Sequence, residues 1–340
     1  MSALRALLAS PARLQRVVAG PAVCLDGQEL DLQVQLMLKF LAASSGPPLE
    51  SLRVDAARHQ VARETRMLAG PPPEVAGVDQ LQIPRQSGTP IPARLYVPRR
   101  SRPPFPLLVY FHGGGFVVGD LETHDNTCRF IAREADMVVL AVDYRRAPEH
   151  TFPAAVEDAV AAFGFAAENA QALGANPSAI AVGGDSAGGN LATVVCQLST
   201  TAGIEPPAFQ WLLYPMTDFV ERRRSYGLFG EGFLLTAGQM DWFRSHYLGG
   251  AGDAPDPRAS PLRAANLGGL PPAYIATAGF DVLRDEGEKY AQRLRAAGTP
   301  VVLHRHSGLA HGFAANLGIG NFGARALGEA VGVLRAAVSL

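Results

Sequence analysis

Cysteine is scarce in this chain of 340 residues, which contains only Cys24, Cys128 and Cys196. The number is odd and the three residues lie far apart, so they indicate neither a disulfide framework nor a metal-ligand spacing. This usage is typical of a reducing compartment, and we predict a cytoplasmic location.

Charge is scarce as well. Charged residues make up 18% of the chain, against the roughly 25% usual for soluble proteins. The net charge is −1, which gives no electrostatic reason to expect binding to nucleic acid or to an anionic membrane. No apolar run approaches the roughly 20 residues of a membrane span, and Pro11, Arg13 and Arg16 interrupt the apolar start where a signal peptide needs a clean centre. We therefore expect no integral membrane association.

Apolar residues are abundant, at 48%, and the length suits one large α/β domain with additions. Helical periodicity covers residues 30–41 and 54–68, and alternating residues on both sides of a turn at 86–89 predict a hairpin over 78–97. Short apolar runs then alternate with helical stretches, at 107–111, 137–142, 180–182, 209–214, 273–276 and 301–303. This rhythm predicts a doubly wound, mostly parallel sheet with the antiparallel hairpin at one edge.

One stretch, 217–252, interrupts the rhythm and is too long and too aromatic for a plain connection. We predict a cap insertion here, packing with an N-terminal helical cap segment at 1–75 over a catalytic domain at 76–216 and 253–340. The insertion holds four candidates for the lining of a substrate pocket: Phe229, Phe233, Leu234 and Trp242. Their alternative role is to hold the cap onto the core.

Ser186 is the most informative residue. An apolar run enters the segment G-D-S-A-G at 184–188, and a helical pattern leaves it. A strand that turns directly into a helix places the residue at the corner in a strained, exposed position, as in the nucleophile elbow of hydrolases. A serine hydroxyl is a poor nucleophile unless a base and an orienting acid accompany it.

The acid and the base should follow the serine on loops after later strands, because the carboxyl ends of parallel strands open at one edge of the sheet. Asp281 lies where the apolar strand that begins at Ala273 ends, and it is our candidate acid. Asp285 and Glu286 are the alternatives, although acidic residues at those positions also suit the first turn of a helix. His311, next to a glycine after the last strand, is our candidate base.

Other histidines fit this chemistry less well. His304 and His306 alternate on a strand and share one face, so they resemble a metal-binding pair. The sequence shows no third ligand with useful spacing, and we predict a structural role and no metal site.

The tetrahedral intermediate of acyl transfer needs preorganised N–H donors. Three glycines at 113–115 follow the strand at 107–111 and allow close backbone approach to a ligand. We predict donors at Gly113, Gly114 and Ala187, with His112 as a structural residue. A phosphate cradle is the alternative function of a glycine triplet, but the Gly-Lys-Ser/Thr ending that it requires is absent.

Seven segments carry a family resemblance: HGGGF at 112–116, DYRRAPEH at 143–150, FPAA at 152–155, GDSAGG at 184–189, YPMTD at 214–218, DVLRD at 281–285 and HGF at 311–313. Taken together, these segments make the chain similar to the hormone-sensitive-lipase-like (bacterial family IV) carboxylesterases of the α/β-hydrolase superfamily. They run in family order from about residue 80 to the C-terminus.

The resemblance implies hydrolysis of small-molecule esters by Ser186, Asp281 and His311, without a cofactor or metal. It also implies a homodimer joined near the last strand and helix. Asp185 matches a subgroup in which the acid before the nucleophile braces a loop, and Asp143, Arg145 and Glu149 resemble an internal polar brace. Arg146 stands where the family commonly has leucine.

We expect short- to medium-chain acyl esters as substrates, since a cap limits the length of a pocket. Amide or lactone hydrolysis uses the same apparatus and is the main alternative. A non-catalytic protein that keeps the fold to bind a small ligand is the alternative from another class, but such proteins tend to lose the histidine that this chain retains.

Overall fold

The computed structural model describes residues 2–44, 46–85, 88–100, 102–199, 201–250 and 252–338. Its helices are α1 (Ser2–Leu8), α2 (Ala12–Ala19), α3 (Leu32–Ser44), α4 (Val54–Ala69), α5 (Asp125–Ala135), α6 (Ala154–Glu168), α7 (Ala187–Leu198), α8 (Arg224–Phe229), α9 (Ala237–Tyr247), α10 (Arg284–Ala296) and α11 (Phe322–Val338). Its strands are β1 (Cys24–Leu25), β2 (Gln28–Glu29), β3 (Gly77–Ile83), β4 (Ile91–Val97), β5 (Phe105–Phe111), β6 (Val138–Val142), β7 (Ala175–Asp185), β8 (Phe209–Leu213), β9 (Ala273–Phe280) and β10 (Val301–Ala310).

The main sheet has the strand order β10-β9-β8-β7-β5-β6-β4-β3. Strands β3 and β4 form an antiparallel hairpin, and β4 also runs antiparallel to β6. The other pairings in this sheet are parallel. The predicted doubly wound sheet with an antiparallel hairpin at one edge is therefore confirmed. Two residues of the predicted hairpin turn, 86 and 87, lie outside the described residues.

The continuously apolar runs are the centre of the core. Every residue of β6, β8 and β9 is buried, as expected of parallel strands covered on both faces. Helix α5 packs on α11, and α6 packs on α7, so helices form a layer on each side of the sheet. Trp211 in β8 donates its indole N–H to the carbonyl of Ala330 at 2.9 Å, which ties α11 to the sheet.

A small second sheet, β1 with β2, was not predicted from the sequence. Its turn is Asp26-Gly27, and both residues have positive φ, 55° and 73°. An Asp-Gly pair is a strong signal for a two-residue hairpin turn, so the local sequence did contain this information. The hairpin contacts the main domain through Gln28, whose amide donates to the carbonyl of Gly279 at 2.9 Å.

Segments from before β3 and from between β8 and β9 come together above the carboxyl ends of the strands. Helix α9 begins with a capping box made by Thr236 and Gln239, and it packs on the short helical turn Leu49–Ser51. Among the described helices, none combines the length and the apolar character that a membrane crossing requires.

Candidate active site

Ser186 lies at the corner between β7 and α7, with φ 55° and ψ −117°. This backbone conformation is strained for a residue with a side chain, and it is typical of an enforced functional geometry. Glycines on both sides allow the corner to pack tightly. A Cβ added to Gly184 or to Gly188 would lie well inside van der Waals contact with the carbonyl oxygen of Phe111. The local sequence therefore builds the predicted elbow against the end of β5.

Asp281 and His311 meet Ser186 at the carboxyl edge of the sheet. The Nε2 atom of His311 lies 3.0 Å from the Ser186 Oγ, and its Nδ1 lies 2.7 Å from an oxygen of Asp281. The second oxygen of Asp281 accepts the N–H of Leu283 at 2.9 Å, which orients the buried carboxylate. These distances form a serine–imidazole–carboxylate chain with each group in hydrogen-bond reach of the next.

The two alternative acids are engaged elsewhere, in the first turn of α10. Asp285 accepts the N–H of Ser225 at 2.8 Å. Glu286 is buried and accepts the N–H of Thr217 at 2.6 Å. Burial raises the pKa of Glu286 well above its usual range. Both carboxyls thus organise the start of the segment that follows β8.

The glycine loop after β5 lies beside Ser186, but its first glycine is not free to bind an oxyanion. The N–H of Gly113 donates to Asp185 at 2.9 Å, which disagrees with the prediction of Gly113 as a donor. Within the described part of the chain, no hydrogen bond uses the N–H of Gly114, Gly115 or Ala187. All three residues line the cavity at Ser186.

The sequence analysis did not identify Gly115 as a candidate oxyanion donor, because the sequence does not reveal which strand lies next to β7. Gly184 pairs with Phe111, so β5 and β7 are adjacent, and Asp185 comes within reach of Gly113. Gly114 and Gly115 both have positive φ, 116° and 58°, which turns the loop toward the serine. Only the pairing of strands distant in sequence decides which glycine keeps a free N–H.

Asp185 is a buried carboxylate with three partners. It accepts from the Tyr110 hydroxyl at 2.6 Å and from Gly113, and it lies 3.3 Å from the Nε2 of His124. Burial alone would raise the pKa of Asp185, but the positive charge of His124 and the hydrogen bonds hold it at about 2. Burial disfavours the charged form of His124 as well and by itself would lower its pKa, yet the nearby carboxylate of Asp185 outweighs burial and raises the pKa of His124. The pair of Asp185 and His124 supports the glycine loop through the N–H of Gly113. No sequence pattern had indicated this role for His124.

His112 occupies a structural position in the same loop. Its ring stacks on Tyr144, with centroids 4.3 Å apart, and its Nδ1 lies 2.7 Å from the carbonyl of Gly113. Burial lowers the pKa of His112 to about 3, so the ring is neutral at ordinary pH. The next loop contributes Arg146, which donates to the carbonyl of Gly119. The arginine that replaces the common leucine therefore supports the end of the glycine loop.

The other polar residues of that segment form two separate braces. Arg145 makes a bidentate pair with the buried Asp158 at 2.9–3.1 Å. Glu149 pairs with Arg58 of α4 at 2.7 Å through both carboxylate oxygens. The prediction of one internal brace made by Asp143, Arg145 and Glu149 is therefore wrong, because Glu149 pairs with the N-terminal helix α4 instead. No sequence spacing links residues 58 and 149.

A cavity of about 260 Å³ opens at Ser186, and its lining is mostly apolar. Leu234 lines it together with neighbours that were not predicted: Leu235, Met240, Phe243, Phe219 and Met216. Helix α4 and the turn before it contribute Leu49, Val61, Glu64, Thr65 and Leu68. Burial raises the pKa of Glu64, a carboxyl in this otherwise apolar wall.

Three of the four pocket candidates lie elsewhere, so the structure corrects the expectation for Phe229, Phe233 and Trp242. Phe229 and Phe233 pack on each other and on Phe280, with ring centroids 5.1–5.9 Å apart. Trp242 packs edge-on against Phe243. Phe229 and Phe233 thus anchor the insertion on β9, which was the alternative role considered for them, whereas the ring contacts of Trp242 are with residues of its own helix, α9. Aromatic content alone did not separate the side facing the core from the side facing the cavity.

Comparison with known proteins supports the same fold. A family model described as the alpha/beta hydrolase fold matches residues 108–315. Among characterised relatives, the chain is 49% identical over 340 residues to the carboxylic ester hydrolase LipN of Mycobacterium tuberculosis (strain ATCC 25618 / H37Rv), covering 97% of this chain and 89% of the relative. It is 38% identical over 288 residues to an ethyl acetate hydrolase of Pseudomonas putida, covering 83% and 91%.

Solved structures agree. An ester hydrolase, EH1AB1, from the metagenome of Lake Arreo, in complex with a bipyridine phosphonate derivative, superposes with a TM-score of 0.87 at 41% identity, covering 92% of this chain and 100% of that one. A hyperthermophilic esterase from the archaeon Pyrobaculum calidifontis gives a TM-score of 0.85 at 39% identity, covering 90% and 98%.

Proposed function

The chain belongs to the hormone-sensitive-lipase-like carboxylesterases of the α/β-hydrolase family and hydrolyses carboxylic esters. For this activity we propose that Ser186 is the nucleophile, that His311 is the general base and that Asp281 orients His311. The observation that carries this assignment is the chain of short contacts, 3.0 Å from serine to imidazole and 2.7 Å from imidazole to carboxylate. Ester hydrolysis also follows from the relatives and the matching family model.

The reaction proceeds in two steps. The Ser186 Oγ attacks the ester carbonyl carbon as the Nε2 of His311 takes its proton. The tetrahedral intermediate then expels the alcohol, which leaves with that proton, and the acyl group stays on Ser186. Water attacks this acyl-enzyme, His311 takes a proton from the water, and the acid leaves as the proton returns to Ser186.

We propose Gly114, Gly115 and Ala187 as the oxyanion donors. Their N–H groups are uncommitted in the described residues and line the cavity, and Ala187 is at the positive N-terminal end of α7. Gly113 is replaced in this role because Asp185 holds its N–H. A preorganised donor of this kind is worth roughly 3–4 kcal/mol in the barrier when it is removed.

We propose that the segments 1–75 and 217–252 form a cap over the catalytic domain and that the cavity between them selects short- to medium-chain acyl groups. A cavity of about 260 Å³ lies just below the roughly 300–1,000 Å³ of typical ligand pockets, which favours short acyl groups. Its apolar lining favours hydrocarbon chains over polar ones.

An acyl-chain-length series of p-nitrophenyl esters, from acetate to palmitate, tests this function. We expect kcat/KM to peak at short to medium chains and to fall for long ones. Ser186→Ala should lower kcat by about 10⁴-fold or more, while Ser178→Ala, at an exposed serine, should leave it unchanged. Hydrolysis that survives in Ser186→Ala would remove the nucleophile assignment, and comparable rates on matched amides would favour the amidase alternative.

We propose a homodimer joined at β10, the outermost strand of the main sheet on the side opposite the hairpin. The strand presents an apolar side chain to solvent in the single chain, since Val302 is 51% exposed. An unpaired strand edge is a template for pairing with another chain. Light scattering should report a dimer, and Val302→Lys should shift it toward monomer.

We further propose a cytoplasmic location. Cys24, Cys128 and Cys196 are all unpaired, and two of them are buried. Proteins of oxidising compartments commonly use cysteine in disulfides. Cell fractionation with a compartment marker tests this assignment.

A further inference from the structure

Two histidines and a glutamate converge at a place the reaction does not use. His304 and His306 lie two residues apart on β10, so their side chains leave the same face of the strand. Their rings stack with centroids 4.2 Å apart. Glu329 reaches them from α11, the last helix, which lies against this part of the sheet. The third ligand that the sequence did not reveal is therefore supplied by the packing of α11.

The three side chains have the spacing of a metal-ligand set. The Nδ1 atoms of His304 and His306 each lie 3.9 Å from the same oxygen of Glu329. One potential ligand atom from each residue lies within 4.8 Å of the others. Two ligands bound at about 2.1 Å to one tetrahedral ion are about 3.4 Å apart, so the 3.9 Å pairs must close by about 0.5 Å and no pair by more than about 1.4 Å.

His306 has no other evident use. Its side chain is 7% exposed, its Nδ1 faces Glu329 at 3.9 Å, which is beyond hydrogen-bond distance, and its Nε2 has no hydrogen-bond partner among the described residues. A buried polar group without a partner costs free energy, so such a side chain calls for an explanation. His304 and Glu329 are about half exposed, at 45% and 48%, which leaves them free to rotate toward an ion and leaves the ion a path from solvent.

We propose that His304, His306 and Glu329 form a binding site for a borderline divalent cation of the zinc type. Two imidazoles and one carboxylate suit Zn²⁺, whereas Mg²⁺ and Ca²⁺ prefer all-oxygen sites. The ligands come from one strand and one helix, so the ion would cross-link β10 to α11. Water would occupy the remaining coordination positions.

The site lies on the structural path to the catalytic histidine, although it does not touch it. The His306 ring packs on Phe313 at 4.9 Å, Phe313 packs on Tyr214 at 4.9 Å, and Tyr214 contacts His311 at 4.7 Å. A cation that holds β10 on α11 therefore stiffens the strand that carries His311. We expect the ion to raise the melting temperature and to change kcat little.

The test is zinc binding to the EDTA-treated, full-length protein, measured by calorimetry with ZnCl₂ and by visible absorption with CoCl₂. We expect one ion per chain and a higher melting temperature in its presence. His304→Ala and Glu329→Gln should each weaken Kd at least about tenfold, as loss of one of three ligands removes much of the binding. His59→Ala, at an exposed histidine outside this cluster, should bind as the wild type does.

His304 and Glu329 are exposed enough that both variants should fold, and their melting temperatures without metal check this. The proposal fails if the wild type binds no zinc, or if His304→Ala and Glu329→Gln bind it as tightly as the wild type. It also fails if zinc leaves the melting temperature unchanged, because the ion would then not join strand to helix.

Discussion

The carboxyl edge of the sheet and the proposed cap are built from different kinds of contact. At the sheet edge, backbone meets backbone: Gly184 and Gly188 pack against the carbonyl of Phe111 with no room for a Cβ. In the proposed cap, backbone meets backbone at Gly70 and Gly318, but many of the other connections are made by side chains. Arg58 of α4 donates to the carbonyls of Val117 and Ala147 at 2.9 Å, besides its pair with Glu149.

The β1–β2 hairpin shows the same side-chain mode of attachment. Asp26 in its turn pairs with Arg224 of α8 at 2.6 Å and with Arg284 of α10 at 2.9 Å. Arg284 also lies over the ring of Phe229, 4.9 Å from the ring centroid. The N-terminal segment, the insertion and the start of α10, three residues after Asp281, are thus joined through one aspartate.

This difference separates two tasks. Backbone packing leaves few alternatives and holds reacting atoms within a few tenths of an ångström, as proton transfer between Ser186 and His311 requires. Side-chain contacts can be exchanged one at a time without disturbing the sheet, so the walls of the cavity can vary while the chemistry stays. Changes at the sheet edge should therefore affect kcat, and changes in the proposed cap should mainly affect KM.

The largest effect is expected at the acid. In Asp281→Asn the amide would donate to the Nδ1 of His311, leaving the proton on Nε2, where the base must be free. We expect kcat to fall by about 10⁴-fold, measured on a short-chain p-nitrophenyl ester. Asp285→Asn, the alternative acid, should stay within about tenfold of the wild type. The reverse order would show that Asp285 is the acid.

The next largest difference is expected between glycine substitutions at the sheet edge and in the proposed cap. In Gly188→Ala the new methyl group collides with the backbone of Phe111, and we expect at least about a hundredfold loss of kcat or a loss of folded yield. Gly227→Ala in α8 meets no atom within 4 Å and should stabilise the protein by about 0.5–1 kcal/mol. Activity and thermal melts of the two variants measure this contrast. Equal sensitivity at both positions would contradict it.

A smaller effect is expected where α4 is attached. Arg58→Gln removes the pair that holds the pKa of Glu149 at about 2 and loosens one wall of the cavity. We expect KM to rise roughly three- to tenfold with kcat nearly unchanged, a split that steady-state kinetics resolves. Arg53→Gln, just before the same helix and 90% exposed, is the matched control and should change neither constant. A fall in kcat alone would mean that α4 positions the chemistry.

The smallest effect is the pH dependence of stability that comes from the pair of Asp185 and His124 next to the glycine loop. The pKa of His124 is raised above its usual 6.5, so its contribution to stability is complete below that value and is lost as pH rises through the raised pKa. The pKa of Asp185 is lowered from 3.8 to about 2, so its contribution is lost as pH falls through that range.

His124→Gln should therefore cost most between about pH 4 and 6.5, roughly 2 kcal/mol, and progressively less on either side. Urea denaturation at several pH values measures the difference, with His59→Gln as the control. A pH-independent difference would mean that the pair is not charged.

Most of the architecture was predictable because it follows from local pattern. Short, continuously apolar runs that alternate with helical stretches are typical of strands buried on both faces, and the glycines around Ser186 are typical of a sharp turn from strand to helix. The proximity of Asp281 and His311 to Ser186 was predictable for a related reason, since loops after parallel strands open at the same edge.

What failed depended on neighbours distant in sequence. Phe229, Phe233 and Leu234 lie close together in the sequence, yet two face Phe280 and one faces the cavity. Gly113 and Gly115 are chemically identical, and only Asp185 on the adjacent strand distinguishes them. Glu149 could have paired with several arginines, and the position of α4 selected Arg58.

The sequence by itself determined the sheet, the sharp turn at Ser186 and the three side chains proposed for the reaction, because hydrophobic periodicity and glycine geometry act over a few residues. The tertiary structure alone decided which N–H groups stay free, which side chains line the cavity and that Glu329 stands beside His304 and His306. Those outcomes depend on hydrogen bonds and packing between segments up to hundreds of residues apart, and no local pattern encodes such pairings.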